Sequence, residues 1–140
     1  MKLKVVNLDS ILIPVVSRLY KSYYPSGKAK KCELIWVGYI ENQIASVVRL
    51  RHIERYRLLT GMLVVPEYRG KGLGHQLMAY CTEKVLSDRD YCFAYQYLEA
   101  FYSQHGFQPV APEQLPNSLK NLFERYSQTK KLVPMQYVPH

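Results

Sequence analysis

The sequence has 140 residues, of which 48% are hydrophobic and 21% are charged, and its formal net charge is +8. These proportions are typical of one folded domain with its own core, and they exclude a long disordered chain. The positive charge suits an anionic partner, so nucleic acid, an acidic surface and a phosphorylated cofactor are the partner classes to consider.

Hydropathy and the spacing of cysteine and histidine exclude further classes. No apolar run reaches the ~18 residues of a membrane-spanning helix, and the first nine residues lack the apolar region of a signal peptide. The scattered cysteines and histidines form no C-x-x-C pair and no ligand spacing. These residues are Cys32, Cys81, Cys92, His52, His75, His105 and His140. We therefore expect a cytoplasmic protein without a membrane partner, a disulfide framework or a metal.

The predicted elements follow the order β-α-βββ-α-β-α-β-α-β along the chain. Apolar residues recur at helical spacing after Asp9, and Pro14 fits a first turn, so the first helix begins near Ile13. Later helices are predicted at 73–85, 98–104 and 117–127, and strands at 2–8, 34–40, 43–50, 58–65, 91–95, 107–110 and 132–138. This order indicates one α/β domain over residues 1–140 with a mixed sheet.

Turn residues separate the strands in this prediction. Glu41-Asn42 is predicted as the turn of a β-hairpin, and the polar stretch 52–57 separates its second strand from the next. These three strands therefore form an antiparallel meander. Pro134 cannot donate to a ladder, so it is expected to confine the last strand to an edge or a bulge.

The most informative segment is Leu63-Val64-Val65-Pro66-Glu67-Tyr68-Arg69-Gly70-Lys71-Gly72-Leu73-Gly74. A strand leads through a glycine-rich turn into a helix N-terminus, whose unpaired N–H groups and dipole attract a diphosphate. The Walker pattern is excluded because the position five before Gly70 is Val65. The dinucleotide pattern is excluded because Gly70 and Gly72 would need a glycine in place of His75.

This segment resembles the R/Q-x-x-G-x-G/A signature of the GNAT superfamily of N-acetyltransferases, with Arg69, Gly72 and Gly74 in the three defining positions. A second segment, Phe101-Tyr102-Ser103-Gln104-His105-Gly106-Phe107, resembles that family's F-Y-x-x-x-G-F motif. The resemblance in element order covers roughly residues 2–110. It implies an α/β fold with a mixed, mostly antiparallel sheet that opens in a V between the fourth and fifth strands and has helices on both faces.

The resemblance also implies the cofactor and its site. Acetyl-CoA would enter the V, with its pantetheine arm pairing with the backbone of Leu63 and Val65 and its diphosphate on the N–H groups from Gly70 to His75. The predicted cofactor-binding residues are Leu63, Val64, Val65, Arg69, Gly70, Lys71, Gly72, Leu73, Gly74 and His75. The activity implied is acetyl transfer to an amine that attacks the thioester directly.

Two catalytic residues are predicted. By resemblance, Tyr102 would protonate the departing thiolate. A lysine-like amine has a pKa near 10.4, so a base is valuable, yet the strand 58–65 lacks the glutamate that many relatives place there. Glu54 is the nearest carboxylate, and Glu99 is the next. Relatives often carry an asparagine where this chain has Tyr95, so contacts made by that asparagine do not carry over.

The residues of the acceptor site are less well defined by the sequence than those of the cofactor site. Possible wall residues are Tyr23, Tyr24, Trp36 and Arg49, and the expected acceptor is an amine-bearing small molecule or a peptide. The segment 112–131 inserts a helix between the last two strands, and we expect it to cover the acceptor site or to support a homodimer.

Two other functions remain open at this stage. A GNAT-like domain without the strand carboxylate could be a catalytically weak sensor or interaction module that binds coenzyme A. A basic protein directed at tRNA or another nucleic acid is compatible with the charge, whose densest cluster is Lys28, Lys30 and Lys31. That function is not favoured, because the sequence has no basic helix and no helix-turn-helix pattern.

Overall fold

The computed structural model describes residues 1–24 and 33–139. The predicted cluster Lys28, Lys30 and Lys31 lies outside the described residues. The strands are β1 (Lys4–Asn7), β2 (Leu34–Ile40), β3 (Gln43–Ile53), β4 (Tyr56–Val64), β5 (Asp90–Tyr95), β6 (Phe107–Pro109) and β7 (Leu132–Tyr137). The helices are α1 (Ile13–Tyr23), α2 (Leu73–Lys84), α3 (Glu99–Ser103) and α4 (Asn117–Tyr126).

The seven strands form one sheet in the order β1-β2-β3-β4-β5-β7-β6. Strands β4 and β5 are parallel, and the other neighbouring pairs are antiparallel. This topology confirms the mixed, mostly antiparallel sheet and the element order expected from the sequence.

Strands β4 and β5 pair over a short distance and then separate. Their register contains three pairs, Arg57↔Asp90, Leu58↔Tyr91 and Leu59↔Cys92. Beyond these pairs β4 stays with β3 as far as Val64, while β5 stays with β7 as far as Tyr95. The two strands therefore form a fork, closed where they pair and open beyond, as the V-shaped sheet predicts.

Helices cover both faces of the sheet, because alternate strand residues point to opposite sides. On one face, α2 buries Leu73, Leu77 and Met78 in a core that includes Cys92 and Ala94 of β5. We call this the α2 face.

On the opposite face, α1 buries Val16 and Tyr20 against β2 and β3. Helix α4 buries Leu119 and Leu122 against Leu58 and Tyr91. We call this the α1/α4 face. The open end of the fork connects the two faces.

Two details differ from the sequence prediction. The polar stretch 52–57 is mostly strand, because β3 and β4 pair as far as Ile53↔Tyr56 around a two-residue turn. Strand β7 is also not at an edge, although it contains Pro134. The Pro134 carbonyl accepts from Val110 N, 2.9 Å away. The proline nitrogen therefore points to that same side, past the end of β6, and no bond to β5 is lost.

Candidate active site

A cavity of about 870 Å³ occupies the open end of the fork. Its walls come from β3, β4 and β5, from α3, from the end of α1 and from the segment that follows α4. Because the strands have separated here, the cavity can be reached from both faces of the sheet. This arrangement can hold two reactants that meet in the middle of the sheet.

Strand β4 bulges at the centre of the cavity. Val47 faces Leu63 and Arg49 faces Thr60, so Gly61 and Met62 together lie opposite a single residue. Gly61 has a φ of +64°, and a Cβ there would lie 2.6 Å from the Arg49 Nε. The position therefore needs glycine for its backbone and for the space beside it.

Three side chains on the α1/α4 face hold this bulge. The Tyr20 hydroxyl donates to the Gly61 carbonyl oxygen, 2.5 Å away. The Arg49 guanidinium lies 4.6 Å from the Tyr20 ring centroid and pairs with Glu33 Oε1 at 3.1 Å. Burial raises the pKa of the Tyr20 phenol well above its ordinary value. The phenol therefore stays a hydrogen-bond donor to the bulge.

The N-terminus of α2 has the features of an anion site. Gly70 and Gly72 have φ values of +77° and +75°, and a Cβ at either would meet no atom within 4 Å. The first backbone bond of the helix runs from Gln76 N to Gly72 O. The N–H groups from Gly70 to His75 therefore have no backbone acceptor within the described part of the chain, and they are available to a diphosphate.

Strand β4 presents different backbone groups to the fork from those predicted. Val65 N donates to Ala45 O at 2.9 Å, so it is used within the sheet. Leu63 lies two residues before Val65 on the same strand and opposite Val47, so its N–H and C=O groups also point toward β3. Val64 points into the fork, where its carbonyl accepts from Arg69 Nε at 2.9 Å. The backbone groups of Leu63 and Val65, which were predicted to pair with pantetheine, are therefore directed to β3, and those of Val64 face the fork.

Tyr102 lines the cavity from α3 and is 6% exposed. Its ring contacts Phe101 and Phe107 edge to face. Burial, followed by the neighbouring Cys92, raises the pKa of its phenol well above the ordinary value of 10. Tyr102 is therefore a protonated group that faces the fork.

The two carboxylates predicted as candidate bases lie outside the cavity lining, whereas a third carboxylate belongs to it. Glu54 is exposed in the turn between β3 and β4, with a φ of +55°, and is not part of the cavity lining. Glu99 is likewise absent from that lining. Among the described residues of the lining, Glu33 is the one that carries a carboxylate, and its side chain is 2% exposed.

Three of the four residues predicted to wall the acceptor site line the cavity, and the fourth does not. Tyr23, Tyr24 and Arg49 line the cavity. Trp36 does not, because it lies on the α2 face, where its ring is 5.7 Å from that of Tyr80.

The inserted segment reaches the cavity. Tyr126, at the end of α4, and Lys130, which precedes β7, line the cavity from the α1/α4 face. The Tyr126 hydroxyl oxygen accepts a hydrogen bond from Arg51 Nη1 at 3.0 Å. The insertion therefore contributes two side chains to the cavity lining, and its role in covering the acceptor site stays a prediction.

Two imidazoles lie beside the anion site. His75 Nδ1, in the first turn of α2, is 2.9 Å from His105 Nε2, and both rings contact Phe101. Burial and then His75 lower the pKa of His105. Across the described residues, no group of three or more His, Cys, Asp or Glu side chains is placed to hold a metal. No described helix is long and apolar enough to span a membrane.

Sequence reasoning did not identify Glu33, Arg51, Tyr126 or Lys130. The sequence could have indicated Arg51, because Arg49 was proposed to line the acceptor site and residues two apart on a strand share a face. The other three reach the cavity from a strand start and from the insertion. Nothing in the spacing of the sequence links those segments to the fork.

One family model matches the sequence. The model of the Acetyltransferase (GNAT) domain matches residues 31–109, which are more than half of the chain. No curated protein matches the sequence significantly.

Solved structures share the fold at low sequence identity. N-acetylglutamate synthase from Neisseria gonorrhoeae, complexed with coenzyme A and N-acetyl-glutamate, has a TM-score of 0.78 and 14% identity, covering 100% of this chain and 36% of that one. The ribosomal-protein-S18-alanine N-acetyltransferase from Escherichia coli has a TM-score of 0.66 and 12% identity, with coverages of 96% and 92%. PaiA N-acetyltransferase from Thermoplasma acidophilum, in complex with coenzyme A, has a TM-score of 0.61 and 12% identity, with coverages of 98% and 99%.

These identities support the fold and not a shared substrate. The chain also spans only about a third of the N-acetylglutamate synthase chains that it resembles.

Proposed function

The chain belongs to the GNAT acetyltransferase domain family, and from this premise we propose that it transfers the acetyl group of acetyl-CoA to the nitrogen of an amine. One observation carries the proposal. The open fork has the N-terminus of α2 on one face and the cationic cavity residues Arg49, Arg51 and Lys130 on the other, with the β4 bulge between them. That arrangement suits a reaction in which a long anionic cofactor and a separate acceptor approach from opposite sides.

The residues of the α2 N-terminus fit coenzyme A. Several N–H groups converge there, and the open space above Gly70 and Gly72 lets a diphosphate approach the backbone. Met62 and Val64 point into the fork, so they can pair with an amide-containing arm. Arg69 and Lys71 are exposed beside the site and add positive charge.

The reaction that this site would support needs two proton transfers. Acetyl-CoA supplies the acetyl thioester. The amine nitrogen forms a bond to the acetyl carbon, the carbon–sulfur bond breaks, and the sulfur leaves with the electron pair. In this proposal Tyr102 Oη gives a proton to that sulfur, and the nitrogen gives up one of its own.

Burial raises the pKa of the Tyr102 phenol. The phenol therefore keeps its proton at neutral pH and has it to give when the sulfur leaves.

For the second transfer we propose that Glu33 accepts the proton of the amine. It is the carboxylate of the described cavity lining, and Arg49 orients it. Glu54 stays a prediction from the sequence, and its exposed turn lies outside the lining. Mutating the two glutamates separately distinguishes these assignments.

The proposal extends to the setting of the enzyme. One sheet includes strands from Lys4 to Tyr137, which supports a single domain over residues 1–140. We also propose that the protein is cytoplasmic and that any homodimer leaves the fork accessible to acetyl-CoA.

Calorimetric titration with acetyl-CoA tests the proposal. Wild-type protein should bind with the affinity usual for an enzyme substrate, roughly 1 μM to 1 mM. Gly72→Asp places a carboxylate among the N–H groups of the diphosphate site, so its affinity should fall about 100-fold. Gly72→Asn is the matched control, because it adds the same bulk at the same φ without the charge, and it should retain more of the binding.

A folded wild-type protein that fails to bind acetyl-CoA would rule out the proposed function. Binding without release of CoA thiol in the presence of any amine would reduce the protein to a coenzyme A sensor.

A further inference from the structure

The acceptor side of the cavity carries an excess of positive charge. The described lining residues on the α1/α4 face include Arg49, Arg51 and Lys130, with Glu33 as their carboxylate. Glu33 is paired with Arg49. Arg51 and Lys130 have no carboxylate within ion-pair distance among the described residues. Two cationic groups therefore face the acceptor without an acidic neighbour.

Arg51 is held in a defined position. It shares a face of β3 with Arg49, because the two residues are two apart, and it lies across from Leu58 on β4. Its Nη1 donates to the Tyr126 hydroxyl at 3.0 Å, which leaves the other guanidinium N–H groups for a ligand. A fixed guanidinium is well suited to bind a carboxylate through two parallel hydrogen bonds.

The position of Arg51 relative to the bulge sets the size of the acceptor. Leu58 precedes Gly61 by three residues, which corresponds to about 10 Å along a strand. An arginine side chain and a small molecule together can span this distance. A carboxylate held by Arg51 would then leave an amine of the same molecule close to the bulge.

We propose that the acceptor is a small amine that also carries a carboxylate, in the class of the free amino acids, and that Arg51 and Lys130 bind this carboxylate. The inference rests on the proposed acetyltransferase function and specifies its substrate class. Aromatic side chains line the rest of the cavity. These are Tyr23, Tyr24, Phe93, Tyr95 and Tyr97.

The same charges argue against other amines. A polyamine would place a second cation near Arg51 and Lys130, and like charges at short range discriminate strongly against such a ligand. A peptide N-terminus carries an amide where a free amino acid has its carboxylate, so it would leave both cations without a partner.

An acceptor panel tests the substrate class. CoA thiol release is measured at saturating acetyl-CoA with the twenty amino acids, their carboxamides, spermidine and a peptide with an amidated C-terminus. We expect the best amino acid to exceed its own carboxamide at least tenfold in kcat/KM. Equal rates with acid and carboxamide, or a preference for spermidine or the peptide, would overturn the inference and leave the acetyltransferase proposal standing. No turnover of any amine would overturn both.

Two variants with matched controls test the residues. Arg51→Gln and Lys130→Gln should each lower kcat/KM for the amino acid roughly 10- to 100-fold, mainly through KM, and should hardly change it for the carboxamide. Arg55→Gln, in the exposed turn of the same hairpin, and Lys131→Gln, beside Lys130, should keep wild-type values. Lys130 is exposed, so its substitution tests the inference even if Arg51→Gln impairs folding. Equal losses on acid and carboxamide would show that neither cation binds a carboxylate.

Discussion

The two ends of the β4–β5 fork differ in where their polar groups find partners. At the closed end, Arg57 Nε and Nη2 bind the two Asp90 oxygens at 2.7 Å each, and Nη2 also donates to Val85 O. Ser87 N donates to Asp90 Oδ2 as well. At the open end, the helix N-terminus and the inward-facing groups of β4 have few partners within the described chain. A satisfied network stabilises the fold, whereas unsatisfied groups that solvent can reach are available to ligands.

This contrast predicts a separation of effects. Substitutions at the closed end should lower stability, because they leave buried groups without partners. Substitutions at the α2 N-terminus and of the Tyr102 hydroxyl, at the open end, should lower binding or turnover and leave stability nearly unchanged. Each experiment below can break or sharpen that separation.

The largest effect is expected for Asp90→Ala at the closed end. Asp90 is fully buried, and its removal leaves the Arg57 guanidinium and Ser87 N without their acceptor. The free energy of unfolding should fall by about 3–5 kcal/mol, measured by urea denaturation. Glu83→Ala removes an exposed pair with Lys84 and should cost less than about 0.5 kcal/mol. If Asp90→Ala unfolds at the wild-type urea concentration, the closed end does not fasten the fork.

The next largest effect is expected for Tyr102→Phe at the open end. Loss of the hydroxyl should lower kcat about 100-fold or more, because the departing sulfur loses its proton donor. Acetyl-CoA affinity and the melting temperature should stay near wild type, because the ring and its packing remain. Tyr80→Phe, whose ring packs on Trp36 away from the cavity, is the control. An unchanged kcat for Tyr102→Phe would limit Tyr102 to packing.

The sequence predicted the parts of the fork that depend on local patterns. The glycines that begin α2 and the order of the elements follow from short motifs and from periodicity, and the separation after β4 was implied by the resemblance to the GNAT family. The pairing of Glu33 with Arg49 was not predictable, because it joins the start of β2 to β3. The contact between Arg51 and Tyr126 joins residues 75 positions apart. The backbone direction of Val65 depends on the β3–β4 register, which the bulge at Gly61 shifts and no sequence signal located.

A third, smaller effect separates the two glutamates. Glu33→Gln should lower kcat roughly 10- to 100-fold, because the amide cannot accept the amine proton. Glu54→Gln should leave kcat unchanged, since Glu54 lies in an exposed turn. Acetyl-CoA titration shows whether each variant is folded. If Glu54→Gln lowers kcat instead and Glu33→Gln does not, the base is Glu54, and the position of the hairpin turn must change during turnover.

The smallest effect is expected for His105→Gln. The pH dependence of its melting temperature tests whether the open end contributes to stability. Burial and His75 lower the pKa of His105 below its ordinary value of 6.5. As the pH falls through about 6.5, the unfolded chain takes up a proton at this position before the folded protein does, so stability declines. When the pH is lowered from about 7.5 to 5.5, the melting temperature of His105→Gln should fall less than that of the wild type, by on the order of 1–3 °C. His52→Gln, on the exposed part of β3, should follow the wild-type curve. If His105→Gln follows that curve too, the imidazole pair contributes nothing to stability, and the division between a stabilising closed end and a ligand-binding open end is sharper.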